Sequence, residues 1–153
     1  MRRIFALCAV VILMCSIAAA ADSPARDILG LRLDMSKDAA HARLQKLGRL
    51  EREERKRQEV WQITDKRFSH ILLGYDVAGK VRYVTAVARE KEQPTRYSDV
   101  ADLKKARQMG DPKVNNFIFM WELEARGDNP KTQVIAQGRD PQNLQHLSLK
   151  RIQ

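Results

Sequence analysis

Two segments of this chain share one pattern, and that pattern constrains the fold more than any other feature of the sequence. Residues 36–48 read SKDAAHARLQKLG and residues 98–110 read SDVADLKKARQMG, so each segment opens with Ser and closes with Gly. Serine can accept hydrogen bonds from the free amides of a first helical turn, and an acidic residue favours that turn, here Asp38 and Asp99. Glycine commonly ends a helix in a left-handed conformation. The two segments therefore predict two short helices.

Each expected helix is followed by segments with the alternating apolar pattern of strands. The strand segments are 59–64 and 70–88 after the first helix, and 116–125 and 132–152 after the second. The longer segment of each pair contains a turn, at 76–80 and at 140–143, so it reads as a hairpin. Trp61 and Trp121 hold equivalent places in the two halves. The order predicts an α+β fold of two tandem helix-plus-antiparallel-hairpin repeats, with the helices on one face of a sheet.

The amino terminus has the layout of a secretory signal peptide. Arg2 and Arg3 precede an apolar stretch over residues 4–17, and four alanines at 18–21 offer the small residues that a signal peptidase requires. We expect residues 1–21 to be cleaved, which places the protein in the periplasm or outside the cell. The alternative is an uncleaved membrane anchor, because residues 4–21 together just span a bilayer of about 30 Å.

Removal of residues 1–21 from the 153-residue chain leaves 132 residues, enough for one compact domain. We expect a first helix/strand repeat over 22–92 and a second over 93–153. Cys8 and Cys15 both lie within the leader, so the exported chain would have no disulfide. Met14 is bulky at the position where lipoprotein processing requires a small residue, so we expect no lipid anchor at Cys15.

The charge of the chain bears on its partners. The net charge is +9, and removing Arg2 and Arg3 leaves 26 basic against 19 acidic residues, or +7. Export argues against nucleic acid, and favours an acidic surface on an envelope or secreted protein, or an anionic lipid surface. The alternative is that the charge serves solubility alone. Basic and acidic residues alternate over 49–59, which predicts a solvated helix face or a mobile loop rather than a binding patch.

A set of positions in the first half resembles the β-lactamase-inhibitor-like family of small exported proteins, which also includes the SmpA/OmlA-type outer-membrane lipoproteins. The matching residues are Gly30, Leu31, Leu33, Met35, Ser36, Leu47, Gly48, Trp61, Asp76, Gly79 and Val81. The resemblance covers about residues 28–87, and Asp34 stands where the family has glycine. It implies a tandem-repeat fold of helical segment plus antiparallel sheet, and a role in inhibiting an enzyme or assisting envelope assembly.

The sequence contains few residues that are suited to catalysis. The exported chain would have no thiol, and the sequence has neither a Gly-x-Ser-x-Gly elbow nor a phosphate-binding glycine loop. His41, His70 and His146 are too scattered to form a spaced metal-ligand set. Asp76 and Asp140 fall at turns, which short acidic side chains stabilise. We expect no enzyme, metal or cofactor; the weaker alternative is a catalytic site assembled from His70, Asp76 and His146.

Binding is the more favoured hypothesis. In the segment NFIFMWELE, Trp121 shares one strand face with two phenylalanines, while Ile118 and Met120 share the other. Aromatic and methionine side chains on an open sheet face often anchor interfaces. The favoured interpretation packs the aromatic face into the core and leaves Ile118 and Met120 on the opposite face, but periodicity does not show which face is open. The candidate protein-binding residues are therefore Trp61, Tyr83, Ile118, Met120 and Trp121. The chain is expected to be an exported interaction module; the alternative is an electrostatic binder of anionic envelope lipids or polymers.

Overall fold

The computed structural model describes residues 22–54, 57–91 and 93–152, and its main feature is one eight-stranded antiparallel sheet. The strands of this sheet are β3 (Gly48–Glu54), β4 (Gln58–Ile63), β5 (Phe68–Tyr75), β6 (Val81–Ala88), β7 (Arg107–Met109), β8 (Phe117–Leu123), β9 (Thr132–Gly138) and β10 (His146–Arg151). A separate two-stranded ribbon pairs β1 (Asp27–Ile28) with β2 (Leu31–Arg32). The α-helix of the described chain is α1 (Lys37–Leu44).

The strand order across the sheet is β3-β4-β5-β6-β10-β9-β8-β7. Each half of the chain therefore contributes four consecutive strands joined as a meander, and the last strands of the two meanders pair at the centre. Leu149 of β10 lies opposite Val84 of β6, and Leu147 lies opposite Ala86. The sheet is continuous across the two halves because of this central pairing, and β3 and β7 form its edges.

One face of the sheet is covered, and the hydrophobic core lies on that face. Ala40 and Leu44 of α1, Leu31 of the ribbon and Tyr97 of the second half are buried in one cluster with the sheet residues that point the same way. Ser36 caps α1 by accepting a hydrogen bond from the Ala39 amide, as the sequence predicts. We call this side of the sheet the covered face and the other side the open face.

The predicted fold class was wrong. The chain is mostly β, with one eight-stranded sheet, one two-stranded ribbon and a single α-helix of eight residues in its described part, rather than an α+β arrangement of two helix-plus-hairpin repeats. Both predicted hairpins are present, over β5–β6 and β9–β10. Each meander gains a further strand that the alternation did not indicate, namely β3 and β7. The strand pairing of the backbone, rather than helix packing, therefore organises the molecule.

The second predicted helix, over 98–110, is replaced by two short 3₁₀ turns and the edge strand β7. Tertiary contacts compete with helix propensity there. The Asp102 carboxylate caps the second turn, and its backbone carbonyl accepts a hydrogen bond from Trp121 Nε1 at 3.1 Å. Arg107–Met109 then pairs with β8. The Asp102 carbonyl and the backbone of residues 107–109 thus bond to distant residues, while the remaining turns of the segment close with local 3₁₀ hydrogen bonds.

The charged segment 49–59 was expected to be a helix face or a mobile loop, and its described part is instead strand apart from a turn at Arg57. Residues 49–54 belong to β3 and residues 58–59 to β4. An edge strand tolerates charged side chains, which also discourage pairing with another sheet. Gly48 was expected to end a helix in the left-handed region, but α1 ends at Leu44 and Gly48 begins β3 opposite Ile63. Close packing against the β4 backbone therefore favours glycine there.

The two hairpin turns follow the local chemistry that the sequence predicts. Asp76 accepts hydrogen bonds from the backbone amides of Ala78 and Lys80, and Gly79 has a φ of 72°. Asp140 accepts bonds from the amides of Gln142 and Asn143 in the second hairpin. These carboxylates are satisfied within their own turns, as turn-stabilising residues should be.

Candidate functional site: the open face of the sheet

The open face is the candidate site because the other elements of the described chain bury their side chains on the covered face. Val60 and Met120 are buried hydrophobic residues that do not belong to the core cluster, which shows that they lie on the opposite side of the sheet. Backbone register places the open-face side chains in three rows that run across the strands. The open face is therefore a broad surface built from both meanders.

The middle row of the open face is its least polar part. From β4 to β8 it consists of Val60, Leu72, Thr85, Ser148, Ile135 and Met120. Thr85 and Ser148 join the two halves by a hydroxyl–hydroxyl hydrogen bond of 2.9 Å. Leu72 and Ile135 are half-buried rather than covered. This row is an apolar stripe with a satisfied polar pair at its centre.

Tyr83 stands in the neighbouring row and is held in place on two sides. Its hydroxyl donates a 2.5 Å hydrogen bond to Gln58 Oε1. Its ring lies across Gly74, where a Cβ atom would come within 1.9 Å of Tyr83 Cε1. Burial raises the pKa of the Tyr83 phenol, so the hydroxyl stays protonated at neutral pH. Gly74 thus allows a flat, half-buried aromatic ring on the open face.

A groove of about 800 Å³ adjoins Tyr83 at one end of the open face. Arg82, Lys150 and Arg151 line the groove together with one acidic residue, Asp76. The Arg151 guanidinium forms an ion pair of 2.9 Å with Asp34, while Arg82 and Lys150 are exposed. We call this feature the basic groove. It places two accessible cations beside the aromatic ring.

The structure does not assemble the catalytic alternative of His70, Asp76 and His146. His70 and His146 share the open face, but Val87 stands between them in the row, two strand spacings apart or roughly 10 Å. His70 Nε2 is 3.2 Å from Glu51. Asp76 lies at the hairpin turn and is bound to backbone amides. The three side chains therefore do not converge on one point.

The five predicted binding residues divide between the two faces. Tyr83, Ile118 and Met120 lie on the open face, where Tyr83 and Ile118 are half-buried and Met120 is 7% exposed. Trp61 and Trp121 are each 3% exposed and belong to the core of the covered face. The two tryptophans therefore stabilise the fold and contribute no surface to a docking partner.

A buried carboxylate is the feature that sequence reasoning missed. Glu59 is 1% exposed and lies between α1 and the covered face. It accepts four hydrogen bonds, from Lys37 Nζ at 2.8 Å, His41 Nε2 at 2.8 Å, Trp61 Nε1 at 3.0 Å and Tyr75 Oη at 3.0 Å. The alternation of the segment EVWQI (residues 59–63) indicates that Glu59 is buried, because Glu59 is in phase with Trp61 and Ile63, both of which face the core.

The electrostatics of this Glu59 cluster favour a structural role. Burial raises the pKa of the Glu59 carboxyl, but the hydrogen bonds that it accepts outweigh burial and leave that pKa below its ordinary value of 4.5. Burial and the adjacent Glu59 charge raise the pKa of Tyr75, so its phenol remains a donor. Both carboxylate oxygens are occupied by protein donors. The cluster ties α1 to strands β4 and β5.

We expect the stability of the fold to fall on acidification because of this cluster. The pKa of Glu59 is lower in the folded protein, so the unfolded chain binds more protons near pH 4.5. The stabilisation is therefore complete above about pH 4.5 and is lost as the pH falls below it. Urea denaturation between pH 6 and 3 should show a steeper decline for the wild type than for Glu59→Gln. Parallel curves would contradict this assignment, because the two proteins differ only in the Glu59 carboxyl group.

Two further kinds of feature, a cluster of metal ligands and a membrane-spanning helix, are absent from the described residues. Within the part of the chain that the structure describes, no three His, Cys, Asp or Glu side chains come together as metal ligands. Among residues 22–54, 57–91 and 93–152, no helix has the length and apolar character needed to cross a membrane. The expected signal peptide, residues 1–21, lies outside the described residues.

Comparison with protein-family models, with curated proteins and with solved structures finds no match for this chain in any of the three. The resemblance to the β-lactamase-inhibitor-like family, which rests on residues 28–87, therefore stays a prediction.

Proposed function

We propose that this chain is an exported, non-enzymatic interaction module whose open sheet face binds an acidic surface of another envelope or secreted protein. The observation that carries the proposal is the open face itself, which the other elements of the described chain leave uncovered. A sheet face with an apolar stripe and a polar surround has the composition of a protein interface. The inhibitor-like family resemblance supports the same class of function.

The apolar part of the contact would come from the middle row, from Ile118 in the row beside it, and from Tyr83. Leu72, Ile135 and Ile118 are half-buried, so each retains apolar surface that a partner can remove from water. Tyr83 is already held by Gln58 and Gly74, so binding would cost little side-chain entropy. Rigid aromatic side chains of this kind often carry a large share of binding energy.

The charge of the surface selects the kind of partner. Arg82 and Lys150 are exposed in the basic groove, and the chain without its leader has a net charge of +7. Complementary charges accelerate association and exclude partners of like charge. An acidic protein surface therefore fits the basic end of the open face, while the apolar stripe supplies contacts that a purely ionic surface would lack.

The test is the affinity of the chain without residues 1–21 for a partner identified from a periplasmic extract and then purified. Tyr83→Ala should weaken binding by about thirtyfold, the effect of losing an interface anchor of roughly 2 kcal/mol. Lys150→Glu should weaken binding at least tenfold. The matched control is Lys104→Glu, which makes the same charge change at an exposed site in the 103–105 turn, away from the open face. Thermal melting of each variant checks the fold.

The electrostatic alternative predicts a different pattern. If the chain binds anionic lipids or polymers, vesicles rich in phosphatidylglycerol should bind it, and binding should weaken steeply as salt rises. Lys104→Glu and Lys150→Glu should then weaken binding equally, and Tyr83→Ala should have little effect. That pattern would overturn the protein-interface proposal. Vesicle binding that survives high salt would instead contradict the electrostatic alternative.

A further inference from the structure

The basic groove at the end of the open face is built on an irregularity of strand β6. Gly74 of β5 lies opposite Tyr83. The next residue of β5, Tyr75, lies opposite Val81, so Arg82 is an extra residue in β6. A β-bulge of this kind sets two residues against one and re-aims a side chain, and both Arg82 and Tyr83 line the groove. Arg82 therefore lies on the open face, although regular alternation would turn it toward the core.

The segment before α1 holds this bulge in place. The Val81 amide donates a 2.9 Å hydrogen bond to the Met35 carbonyl, and the Val81 carbonyl accepts a 2.8 Å bond from the Asp34 amide. The Val81 side chain is fully buried in the core. Because Val81 is fixed by its backbone and by its side chain, Arg82 beside it is held on the open face.

Two side chains stand beside Arg82 in the groove. Lys150 of β10 lies opposite Tyr83, and the Cβ atoms of two residues in that arrangement are about 5 Å apart. The Tyr83 hydroxyl is bonded to Gln58, whose amide nitrogen donates a 2.7 Å hydrogen bond to Glu54. Because the Gln58 amide is itself held, the Tyr83 ring is a fixed surface next to the two cations.

The charges of the groove favour a ligand with one negative charge. Arg82, Lys150 and Arg151 supply three positive charges, and Asp76 supplies one negative charge. Asp34 forms an ion pair with Arg151, so the balance of these five groups is one positive charge. A carboxylate neutralises that charge, whereas a phosphate group carries about −1.5 to −2 at pH 7 and would leave an excess.

The groove also offers apolar surface beside its cations. Tyr83 and Ile152 are half-buried and line it, so an apolar group attached near the carboxylate would be removed from water against them. The Thr85 hydroxyl is already bonded to Ser148. The volume of about 800 Å³ is within the range of sites that bind small ligands, so it is sufficient for an acidic side chain with one apolar neighbour.

We propose that the basic groove binds an acidic side chain of the partner, that Arg82 selects its carboxylate, and that an adjoining apolar side chain packs on Tyr83 and Ile152. This inference rests on the proposed function and names the chemistry that the partner presents at this end of the open face. Arginine offers two parallel N–H donors that match the two oxygens of a carboxylate, whereas lysine is a point charge. Arg82 therefore supplies selectivity and Lys150 supplies charge.

The experiment uses three short peptides as probes, each acetylated and amidated: Glu-Phe, Gln-Phe and phosphoserine-Phe. NMR titration of the chain without residues 1–21 follows the signals of the Tyr83 ring and of the Arg82 Nε–H group. Glu-Phe should bind about tenfold more tightly than Gln-Phe, the usual effect of a hydrogen bond to a charged group. Phosphoserine-Phe should bind no more tightly than Glu-Phe, because its additional charge has no counterpart in the groove.

Variants at two arginines separate the groove from the net charge of the open face. Arg82→Gln should weaken Glu-Phe binding about tenfold, and Arg82→Lys about threefold, because lysine keeps the charge but not the paired donors. Arg107→Gln is the matched control and should change binding less than twofold. Arg107 is exposed on the same face, opposite Met120, but lies four strand spacings or roughly 19 Å from β6. Melting curves check that each variant folds.

Three results would overturn the inference: equal affinities for Glu-Phe and Gln-Phe, tighter binding of phosphoserine-Phe, or equal losses in Arg82→Gln and Arg107→Gln. The probes report on the groove without the partner. If any of these results is found while Tyr83→Ala still weakens binding of the partner, the inference fails and the proposed function stands. If the groove selects Glu-Phe but the chain captures no partner from the extract, the proposed function fails and the carboxylate selectivity of the groove stands.

Discussion

Glu59→Gln is expected to lower the free energy of unfolding by about 3 kcal/mol, the range found when one partner of a buried charged network is removed. The amide keeps the shape of the carboxyl but replaces one acceptor oxygen by a donor nitrogen. Four donors then face a single acceptor, so some of Lys37, His41, Trp61 and Tyr75 lose their bond. Urea denaturation at pH 7 measures the loss.

Glu53→Gln is the matched control for this variant. Glu53 also approaches Lys37, at 3.6 Å, but its side chain is 61% exposed. Exposed ion pairs typically contribute less than about 1 kcal/mol. A loss of similar size in both variants would show that the Glu59 cluster contributes no more than an exposed ion pair, and that α1 is held to the sheet by apolar packing alone.

Gly48→Ala is expected to cost about 2–4 kcal/mol, because the added methyl group meets backbone atoms. A Cβ atom at Gly48 would lie 1.9 Å from the carbonyl oxygen of Gln62 and 2.8 Å from Cα of Ile63. Neither atom can move without shifting the pairing of β3 with β4. Thermal or urea unfolding of the variant gives the loss, and amide exchange at β3 should show where the structure has opened.

Gly127→Ala separates this clash from the general effect of replacing a glycine. Gly127 has a φ of 55° and no heavy atom within 4 Å of the added Cβ, so only the left-handed backbone is penalised there, by about 1 kcal/mol. If the two variants unfold alike, the close approach of β3 to β4 at Gly48 has no energetic consequence.

The open face and the Glu59 cluster bear on different properties of the molecule. The cluster fixes α1 against β4 and β5, so its loss should reduce stability and leave the open-face side chains in place. Substitutions at Tyr83 or Lys150 should affect binding and leave most of the stability, because neither side chain belongs to the core cluster. Stability and binding measured on one set of variants therefore test the two assignments separately.

Part of the candidate site could be predicted from the sequence. Period-two alternation placed Ile118 and Met120 on one face of β8 and Trp121 on the other, and the structure agrees. Alternation carries no information on which face a second layer covers. Trp61 and Trp121 were therefore included among the binding residues, and they lie in the core. Tyr83 lies on the open face because the register of β5 and β6 places it opposite Gly74.

By itself the sequence determined the features that depend on neighbours a few residues away. These include the Ser36 cap of α1, the Asp76 and Asp140 turns and the strand alternation of both hairpins. Each rests on hydrogen bonds or side-chain periodicity within one short segment, so a local pattern suffices to indicate it.

Only the tertiary structure decided the features that depend on distant partners. Segment 98–110 has the residue pattern of a capped helix. In the structure, however, Trp121 Nε1 donates a hydrogen bond to the Asp102 carbonyl, and residues 107–109 pair with β8. Segment 49–54 has the charge pattern of a solvated surface, but β4 pairs with it to form the sheet edge. In both places long-range backbone hydrogen bonds outweigh a helix preference of a few tenths of a kcal/mol per residue. The chain is therefore a mostly β protein, since packing between remote segments is stronger than the local signal.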